Sequence, residues 1–231
     1  MYNNFVVEGA KMATEILKQR ALELEGIYAL ESWIADQHEL LAEVDAPLYP
    51  ISPKDLERIS SLKTPNSVLV VCKVPTYELD LPTINNSLTL YLDDLQNPGN
   101  MGSILRIADW FGLPYVFCSK NCVETYNPKV IQGSMGAFLR TKVISIEFEE
   151  LMEYLPELPT FAAVLGGVDI FKSHLPKNGM IIIGNEGAGI RETIRQTASH
   201  QISIPKGQQG GAESLNAAVA TGIICAAFFS Q

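Results

Sequence analysis

The amino-acid sequence predicts an α/β fold, built mainly from a parallel sheet with helices on both faces and preceded by a smaller α/β unit. Apolar runs such as LTLYL and MIIIG have the near-continuous hydrophobicity of strands that are buried on both faces. These runs alternate with helical patterns, as they do in parallel sheets. Three of them end in glycine-bearing turns that open a helix. The composition, 47% hydrophobic and 19% charged, is ordinary for a globular protein.

Residues 1–75 are predicted to form the smaller α/β unit. Within it, FVVE, IYALES and SVLVVCKV are predicted as strands, and AKMATEILKQR as an amphipathic helix. The segment SPKDLERIS contains a helix start, with Ser52 as N-cap, Pro53 at the first helical position and Asp55 at the capping-box position.

The segment PTYELDLPTINNS contains two prolines, two asparagines and no hydrophobic period, so residues 76–87 are predicted to be a linker. The charges differ on its two sides. Residues 1–86 hold 7 Lys/Arg and 13 Asp/Glu, a net charge of −6, whereas residues 87–231 hold 10 and 13, a net charge of −3. The N-terminal unit is therefore the more acidic one.

Residues 88–231 are predicted to form the second and larger domain. The strands expected in it are LTLYL, PYVFCS, KVISI, FAAVLGG, MIIIG and QISIP. The helices expected between and after them include NPKVIQGSMGAF, FEELMEYL, IRETIRQTA and the apolar AAVATGIICAAFF.

The net charge of −9 argues against a non-specific nucleic-acid binder, which would carry a basic stripe, but it is compatible with a local basic site. The first residues, MYNNFVVEGAKM, lack the pattern of a signal peptide. The longest apolar run, AAVATGIICAAFF, is too short to span a bilayer. We therefore expect a cytoplasmic protein that does not contact a membrane.

The cysteines and histidines do not form a metal-binding pattern. Cys118 and Cys122 are spaced C-x-x-x-C, and no second pair or histidine cluster completes a site. His38, His174 and His200 are scattered along the chain. We expect reduced thiols and no metal.

Three glycine turns, NPGNMGS, GNEGAG and GQQGGAES, follow predicted strands and precede helices. In open α/β sheets, ligands bind at the carboxyl ends of the strands. The turns also carry polar residues, namely Asn100, Arg106, Glu186, Ser214 and Asn216. We therefore favour a pocket for a flat, polar molecule such as a nucleoside over glycines that only make tight turns. Neither a G-x-G-x-x-G nor a G-K-[ST] motif occurs.

Arg106 is the unusual residue of the first turn and helix. It is expected in the first turns of an apolar helix, among Ile104, Leu105 and Ile107. The helix dipole disfavours a cation at that end by roughly 0.3–1 kcal/mol, and a guanidinium held against apolar surface needs a partner. The residues around Arg106 leave open what that partner is.

The three turns together resemble the signature motifs of the SpoU-type (TrmH-like) RNA 2′-O-ribose methyltransferases of the SPOUT superfamily. NPGNMGSILRIADWFG matches the first motif, IIIGNEGAGI the second, and ISIP…ESLNAAVATGI the third, in the same order and at similar separation. The resemblance covers about residues 88–231. The segment from FVVEG to LKTPNSVLVV is similar to the substrate-binding domain of many members.

This resemblance implies a parallel-sheet SPOUT-type fold with a C-terminal trefoil knot, which composition and periodicity do not reveal. It implies S-adenosylmethionine as the cofactor, a homodimer with the active site near the subunit interface, and methyl transfer to a ribose 2′-hydroxyl of rRNA or tRNA. The cofactor positions would be Gly184, Ile204 and Leu215, with Leu165 and Gly166 nearby.

The resemblance also implies catalytic roles. Arg106 would orient an RNA phosphate through two parallel hydrogen bonds, or would itself be the base. Because a guanidinium rarely gives up its proton, proton loss to a phosphate oxygen or water is an equally good account. Asn100 would orient Arg106 or the ribose, and Glu186 would pair with Arg106 or shape its turn. Ser214 would contact substrate or act as an N-cap, and Asn216 opens the same helix.

Two other functions remain open at this stage. A SPOUT-fold RNA-binding or ribosome-assembly factor without turnover is suggested by the loop KGQQGGAE, which is longer than usual in the family and has Lys206 where members more often have Met. An ordinary doubly wound nucleotide enzyme is disfavoured by the missing dinucleotide motif. If the acidic N-terminal unit binds RNA, a local basic face must come from Lys11, Lys18, Arg20, Lys54, Arg58 and Lys63.

Overall fold

The computed structural model describes residues 3–230 and contains two sheets. The first sheet is made by β1 (Asn4–Glu8), β2 (Leu24–Ala29), β3 (Leu48–Pro50) and β4 (Val68–Lys73). Its strand order is β1-β4-β2-β3, in which β4 runs antiparallel to both neighbours and β2 is parallel to β3. The strand predicted at IYALES both begins and ends earlier than expected, and it ends at Ala29 because the next helix starts at Glu31.

Four helices accompany this sheet: α1 (Ala10–Gln19), α2 (Glu31–Asp36), α3 (His38–Leu41) and α4 (Pro53–Ile59). The start of α4 confirms the predicted cap. The Ser52 hydroxyl accepts a hydrogen bond from the Asp55 backbone N–H at 3.2 Å, and Pro53 occupies the first turn. The local sequence was therefore sufficient to place this helix.

The segment 76–87 contains a short helix, α5 (Leu81–Asn85), which its lack of a hydrophobic period did not predict. Asp80 caps it by accepting a hydrogen bond from the Thr83 N–H at 3.2 Å, and Pro82 lies in its first turn. The Tyr115 hydroxyl donates to the Glu78 carbonyl at 3.3 Å and so holds the segment against the second sheet.

The second sheet has six strands, all parallel, which confirms the predicted parallel-sheet class. They are β5 (Leu88–Leu92), β6 (Tyr115–Cys118), β7 (Lys142–Ser145), β8 (Thr160–Asp169), β9 (Gly179–Ile183) and β10 (His200–Ser203). Their order is β10-β8-β9-β5-β6-β7. Every residue of β5, β6 and β9 is buried, as expected for strands covered on both faces.

Helices cover both faces of this sheet. They are α6 (Pro98–Trp110), α7 (Pro128–Ser134), α8 (Phe148–Tyr154), α9 (Glu192–Thr197) and α10 (Ala217–Phe229), with a 3-10 turn at Ala137–Leu139. On one face, α6, α7 and α10 share a core that also includes residues of the first sheet. On the other face, α8 and α9 close a separate core.

The two sheets are joined by packing and by charge. The ring of Phe5, from β1, lies 4.4 Å from that of Tyr126 and 6.0 Å from that of Phe138 between ring centroids. Arg140 forms ion pairs with Glu15 of α1 and with Asp109 of α6. The N-terminal unit is therefore fixed on the second sheet rather than attached only through the chain.

The pairing of β8 with β10 is interrupted. Gln201 pairs with Ala162, but the next residue, Ile202, pairs with Val168. The intervening residues of β8, 163–167, therefore leave this ladder. Gly166 has a φ of +77°, and no atom lies within 4 Å of the position that a Cβ would take there. Gly166 therefore faces open space, whereas Gly167 packs against β10, because a Cβ there would lie 2.7 Å from the Ile202 carbonyl carbon.

Candidate active site

The three glycine turns lie at the carboxyl ends of β5, β9 and β10, as predicted. After β5, Asn97 caps α6, with its side-chain oxygen accepting from the N–H groups of Gly99 at 2.8 Å and Asn100 at 3.2 Å. After β9, the backbones of Asn185 and Gly189 exchange two hydrogen bonds of 3.0 Å, which close the turn.

The first two turns are tied together by a side chain. The Asn185 amide donates to the Asp94 carbonyl oxygen at 2.8 Å, while its oxygen accepts from the N–H groups of Gly187 and Ala188. Asp94 itself has a positive φ of 55°. The turn after β9 is therefore supported directly by the turn after β5.

A chain of hydrogen bonds connects all three turns. The Asn100 amide donates to a Glu186 carboxylate oxygen at 2.7 Å, and the Asn216 amide donates to the Asn100 carbonyl oxygen at 2.8 Å. Asn100 is only 8% exposed. Three of the five predicted catalytic residues, one from each turn, thus meet at one place.

Asn216 has a second role, as the cap of α10. Its side-chain oxygen accepts from the N–H groups of Ala218 at 2.9 Å and Val219 at 3.3 Å, which leaves its amide group for Asn100. The suggestion that Ser214 is the N-cap is wrong, because α10 begins at Ala217. Ser214 is exposed on the loop before the helix.

Arg106 differs in three respects from the expectation. It is the ninth residue of α6, so it lies beyond the first turn, where the helix dipole acts on a charge. Its side chain is exposed rather than held against apolar surface. Within residues 3–230, Arg106 pairs neither with Glu186 nor with Asn100. Those two residues bind each other instead.

Arg106 is nevertheless distinct from the other arginines. The remaining five, Arg20, Arg58, Arg140, Arg191 and Arg195, each have a nitrogen within 4.0 Å of a carboxylate oxygen. Among the described residues, Arg106 alone of the arginines has no such partner. An exposed guanidinium without a carboxylate is free to bind an external anion.

The sequence did not reveal an ion pair between Asp93, the residue after β5, and Arg191, which follows the turn after β9. The Asp93 carboxylate, fully buried, accepts from the Arg191 side chain at 2.6 Å and from its backbone N–H at 2.7 Å, and Arg191 also reaches Glu147 at 3.2 Å. Burial raises the pKa of Asp93, although the bonds from Arg191 oppose this effect. The acidic pair in LDDL was the only sequence signal for this ion pair. Spacing along the chain could not identify the partner, because Arg191 lies 98 residues after Asp93.

The residues predicted to hold a cofactor lie on the segments that follow β9 and β10 and on the interrupted part of β8. A Cβ at Gly184 would lie 2.3 Å from the carbonyl carbon of Gly189, so only glycine fits there. Leu165 is 80% exposed and Leu215 is 48% exposed, whereas Ile204 is half-buried. Together with Gly166, these positions present apolar side chains and open backbone at one edge of the sheet.

A cavity of about 570 Å³ lies beside β8 and β10 and is lined by residues that include Phe161, Gly166, His174 and His200. It shares only Gly166 with the predicted cofactor positions. No group of three His, Cys, Asp or Glu residues that could hold a metal ion occurs within residues 3–230. In that same range, no helix is long and apolar enough to cross a membrane.

Comparison with known proteins identifies the relatives of this chain. A family model described as the SpoU rRNA Methylase family matches residues 87–226. The 23S rRNA (guanosine(2553)-2′-O)-methyltransferase RlmP of Bacillus subtilis is 27% identical over 228 residues, which cover 96% of this chain and 87% of that protein. The 23S rRNA (uridine(2479)-2′-O)-methyltransferase of Streptomyces viridochromogenes is 28% identical over 217 residues, 89% of this chain and 74% of that protein.

Solved structures resemble the whole chain. A protein from Porphyromonas gingivalis assigned to the TrmH family of RNA methyltransferases has a TM-score of 0.85 and 30% identity, and the match covers 98% of this chain and 89% of that one. The SpoU methyltransferase AviRb of Streptomyces viridochromogenes, in complex with the cofactor AdoMet, has a TM-score of 0.86 at 24% identity, over 99% and 90% of the two chains. Nothing in these comparisons supports the alternative of an RNA-binding or ribosome-assembly factor without turnover.

Proposed function

The chain belongs to the SpoU rRNA methylase family, and from that premise we propose that it transfers a methyl group from S-adenosylmethionine to a ribose 2′-hydroxyl of ribosomal RNA. The relatives named above act on 23S rRNA at a 2′-oxygen, which favours rRNA over tRNA as the substrate class. The observation that carries the proposal is the hydrogen-bonded chain from Glu186 through Asn100 to Asn216, since it unites the three motifs that define the resemblance.

We propose that Gly184, Ile204 and Leu215, with Leu165 and Gly166, hold the cofactor. These residues suit an adenosyl group, because the exposed leucines offer apolar surface for a flat base and the open side of Gly166 lets a ligand approach the backbone closely. When bound, S-adenosylmethionine supplies an electrophilic methyl group on a sulfonium whose leaving thioether is neutral. No residue of this chain is then needed as an acid.

Arg106 is the residue that we assign to the RNA. Its exposed guanidinium has no carboxylate partner within residues 3–230 and can bind a backbone phosphate through two parallel hydrogen bonds. A phosphate that Arg106 holds in this way fixes the position of the adjoining ribose. In well-oriented systems, positioning supplies roughly 7–11 kcal/mol of the barrier reduction. The 2′-hydroxyl proton then goes to a phosphate oxygen or water, because a guanidinium that binds phosphate has no lone pair to accept it.

Methyl transfer to RNA tests this assignment. The full chain is incubated with labelled S-adenosylmethionine and unmethylated rRNA, and the labelled position is mapped as a 2′-O-methyl nucleotide. Arg106→Ala is expected to lose at least about tenfold in kcat/KM, the loss of one charge-assisted contact in the transition state. Arg195→Ala, which removes an exposed arginine paired with Glu192, is the matched control. Equal incorporation by Arg106→Ala and wild type would contradict the role of Arg106.

The finer fold assignments are also proposals. We propose that residues 88–231 form the methyltransferase domain with a C-terminal trefoil knot, supported by the full-length likeness to TrmH and SpoU structures. Residues 1–75 would be the substrate-binding domain, connected through the segment 76–87. The acidity of that unit implies that it recognises RNA through shape and unpaired bases more than through phosphates.

We propose that the protein works as a homodimer through α6 and α10. The two helices pack together, and their neighbouring ends expose aromatic surface. Trp110 is 85% exposed and Phe229 is 52% exposed, and the Phe229 ring lies 5.1 Å from that of Phe111. Contiguous apolar surface of this kind is typical of an interface. Because α6 also carries Arg106, the active site would lie beside the partner subunit.

A further inference from the structure

Two adjacent aspartates, Asp93 and Asp94, follow β5 and hold both ends of the loop at residues 185–191. At the start of the loop, the Asp94 carbonyl oxygen accepts the Asn185 side-chain amide at 2.8 Å. At its end, the Asp93 carboxylate accepts the Arg191 backbone N–H at 2.7 Å. Neither aspartate takes part in the proposed methyl transfer, so their contacts with the loop need another explanation.

The Arg191 side chain is shared between two carboxylates. Its Nε donates to the second oxygen of Asp93 at 2.6 Å, and its two terminal nitrogens each donate to one oxygen of Glu147 at 3.2 Å. The other oxygen of Glu147 accepts from the Lys120 backbone N–H at 3.1 Å. All three guanidinium nitrogens therefore have a carboxylate partner, which distinguishes Arg191 from an arginine that is kept for a ligand.

These contacts join the carboxyl ends of four neighbouring strands, β9, β5, β6 and β7. Arg191 comes after β9, Asp93 after β5, Lys120 after β6 and Glu147 after β7. A polar network whose members are all paired fixes the relative positions of the segments that supply them. The end of the loop is therefore attached to three strands that are not part of it.

The attached end of the loop lies against Gly184, one of the proposed cofactor positions. A Cβ on Gly184 would lie 2.3 Å from the Gly189 carbonyl carbon and 2.4 Å from the Ile190 nitrogen. Ile190 immediately precedes Arg191. A shift of Arg191 would consequently move the backbone against which Gly184 packs.

The conformation of the loop can be followed through two of its own amides. The Asn185 and Gly189 backbones exchange two hydrogen bonds of 3.0 Å, which close the loop on itself. Both bonds lie between the contact with Asp94 and the contact with Asp93. Hydrogen exchange at these two amides therefore reports whether the loop stays closed when one of its ends is released.

We propose that Asp93 and Arg191 are positioning residues for the cofactor site. The pair keeps the loop 185–191 in the conformation that binds S-adenosylmethionine, without contact to the reacting atoms. This inference rests on the proposed function, because it assigns the loop to that cofactor. Asp93 is fully buried, so its charge needs the two donors that Arg191 supplies. A loop that is ordered in advance binds its ligand more tightly than one that must be ordered on binding.

Asp93→Asn is the variant of equal shape that tests the pair. An asparagine side chain has one acceptor oxygen, so its amide group would face one of the two Arg191 donors. We expect about tenfold faster hydrogen exchange at the Asn185 and Gly189 amides of the cofactor-free protein, as for the loss of one charge-assisted hydrogen bond. We also expect about tenfold weaker binding of S-adenosylhomocysteine, measured by calorimetry.

Kinetics separate positioning from a general loss of stability. Asp93→Asn should raise the KM for S-adenosylmethionine about tenfold and leave the KM for RNA unchanged, because Arg106 is not altered. Arg195→Ala is the matched control, since Arg195 lies in α9 and pairs with Glu192 at the surface, and it should change neither constant. Reduced stability of Asp93→Asn with wild-type affinity for S-adenosylhomocysteine would overturn the proposal.

Arg191→Lys provides a second variant, which decides the question if Asp93→Asn does not fold. A lysine has a single nitrogen and cannot reproduce the fork with which Arg191 binds Asp93 and Glu147 together. The same changes in exchange and in affinity are expected. Combining both substitutions should weaken binding no further than either alone, because the residues act as one pair, and additive effects would refute the pair.

The two measurements also distinguish this inference from the proposed function. Hydrogen exchange of the cofactor-free protein needs no ligand. Failure of the wild type to bind S-adenosylhomocysteine would refute the proposed function and the cofactor role of the loop. Binding by the wild type, with exchange at Asn185 and Gly189 unchanged in both variants, would refute only the role of Asp93 and Arg191.

Discussion

Asn100 owes its place at the centre of the site to its position three residues after the Asn97 cap of α6. It is buried, and both of its side-chain atoms are used, one as donor to Glu186 and one as acceptor from Asn216. A buried polar group with both partners in place fixes the relative position of the segments that supply them.

Removing the Asn100 side chain should therefore disconnect the three turns. Asn100→Ala leaves the Glu186 carboxylate and the Asn216 amide without their partner, a loss of about 1.5–3 kcal/mol for a hydrogen bond to a charged group. We expect kcat/KM for methyl transfer to fall about 10- to 100-fold, measured with labelled cofactor. Asn86→Ala, which removes only a local bond within α5, should leave it unchanged, and an equal fall in both variants would contradict this reasoning.

Gly184 provides a steric test of the turn after β9. Gly184→Ala would place a Cβ 2.3 Å from the Gly189 carbonyl carbon, so backbone atoms must move. We expect a loss of about 1–3 kcal/mol in the free energy of unfolding, measured by urea titration, together with weaker cofactor binding by calorimetry. Gly187→Ala, whose Cβ would meet only the Asn185 side chain at 3.6 Å, should have little effect on stability. A tolerated Gly184→Ala would show that the turn is not closed in this way.

At this scale, the sequence predicted which side chains meet but not how they pair. Asn100, Glu186 and Asn216 follow three parallel strands, and the carboxyl ends of such strands share one edge, so their meeting was expected. The pairing of Glu186 with Asn100 instead of Arg106 depends on where the side chains point, which spacing along the chain does not determine. The Asp93–Arg191 pair was missed for the same reason.

At the scale of elements, the helix starts are the features that depend only on residues close together in the sequence. Ser52, Asn97, Asn127 and Asn216 each accept hydrogen bonds from backbone N–H groups two or three residues later. Features that need two distant segments were not predictable. The register change between β8 and β10 and the contact of α5 with Tyr115 are both of this kind.

The cap of α10 allows stability and activity to be separated. Asn216→Ala removes the cap, and we expect a loss of about 1 kcal/mol in the free energy of unfolding. Asn216→Ser keeps an oxygen for the cap but has no amide for Asn100, so stability should return while methyl transfer stays low. Urea unfolding and labelled-methyl incorporation measure the two effects. Recovery of both by serine would assign Asn216 a purely structural role.

At the scale of the whole molecule, the exposed aromatic surface on α6 and α10 predicts a concentration-dependent dimer. Trp110→Glu introduces a charge into that surface and is expected to give monomers in sedimentation experiments. Tyr154→Glu changes a residue of α8, on the opposite face of the sheet, that is 52% exposed, and it should remain dimeric. A monomeric wild type, or a dimeric Trp110→Glu, would reject this interface.

The continuous core that runs from Phe5 into α6, α7 and α10 has a consequence for how a target nucleotide is chosen. Because the N-terminal unit is packed on the second sheet, any surface with which it binds RNA would stand at a fixed distance from Arg106. If that unit holds an RNA, only the ribose that lies at this fixed distance from the unit would meet the methyl donor. Selection would then work as a molecular ruler, in which the geometry of the folded RNA decides the modified position and the identity of the base contributes little.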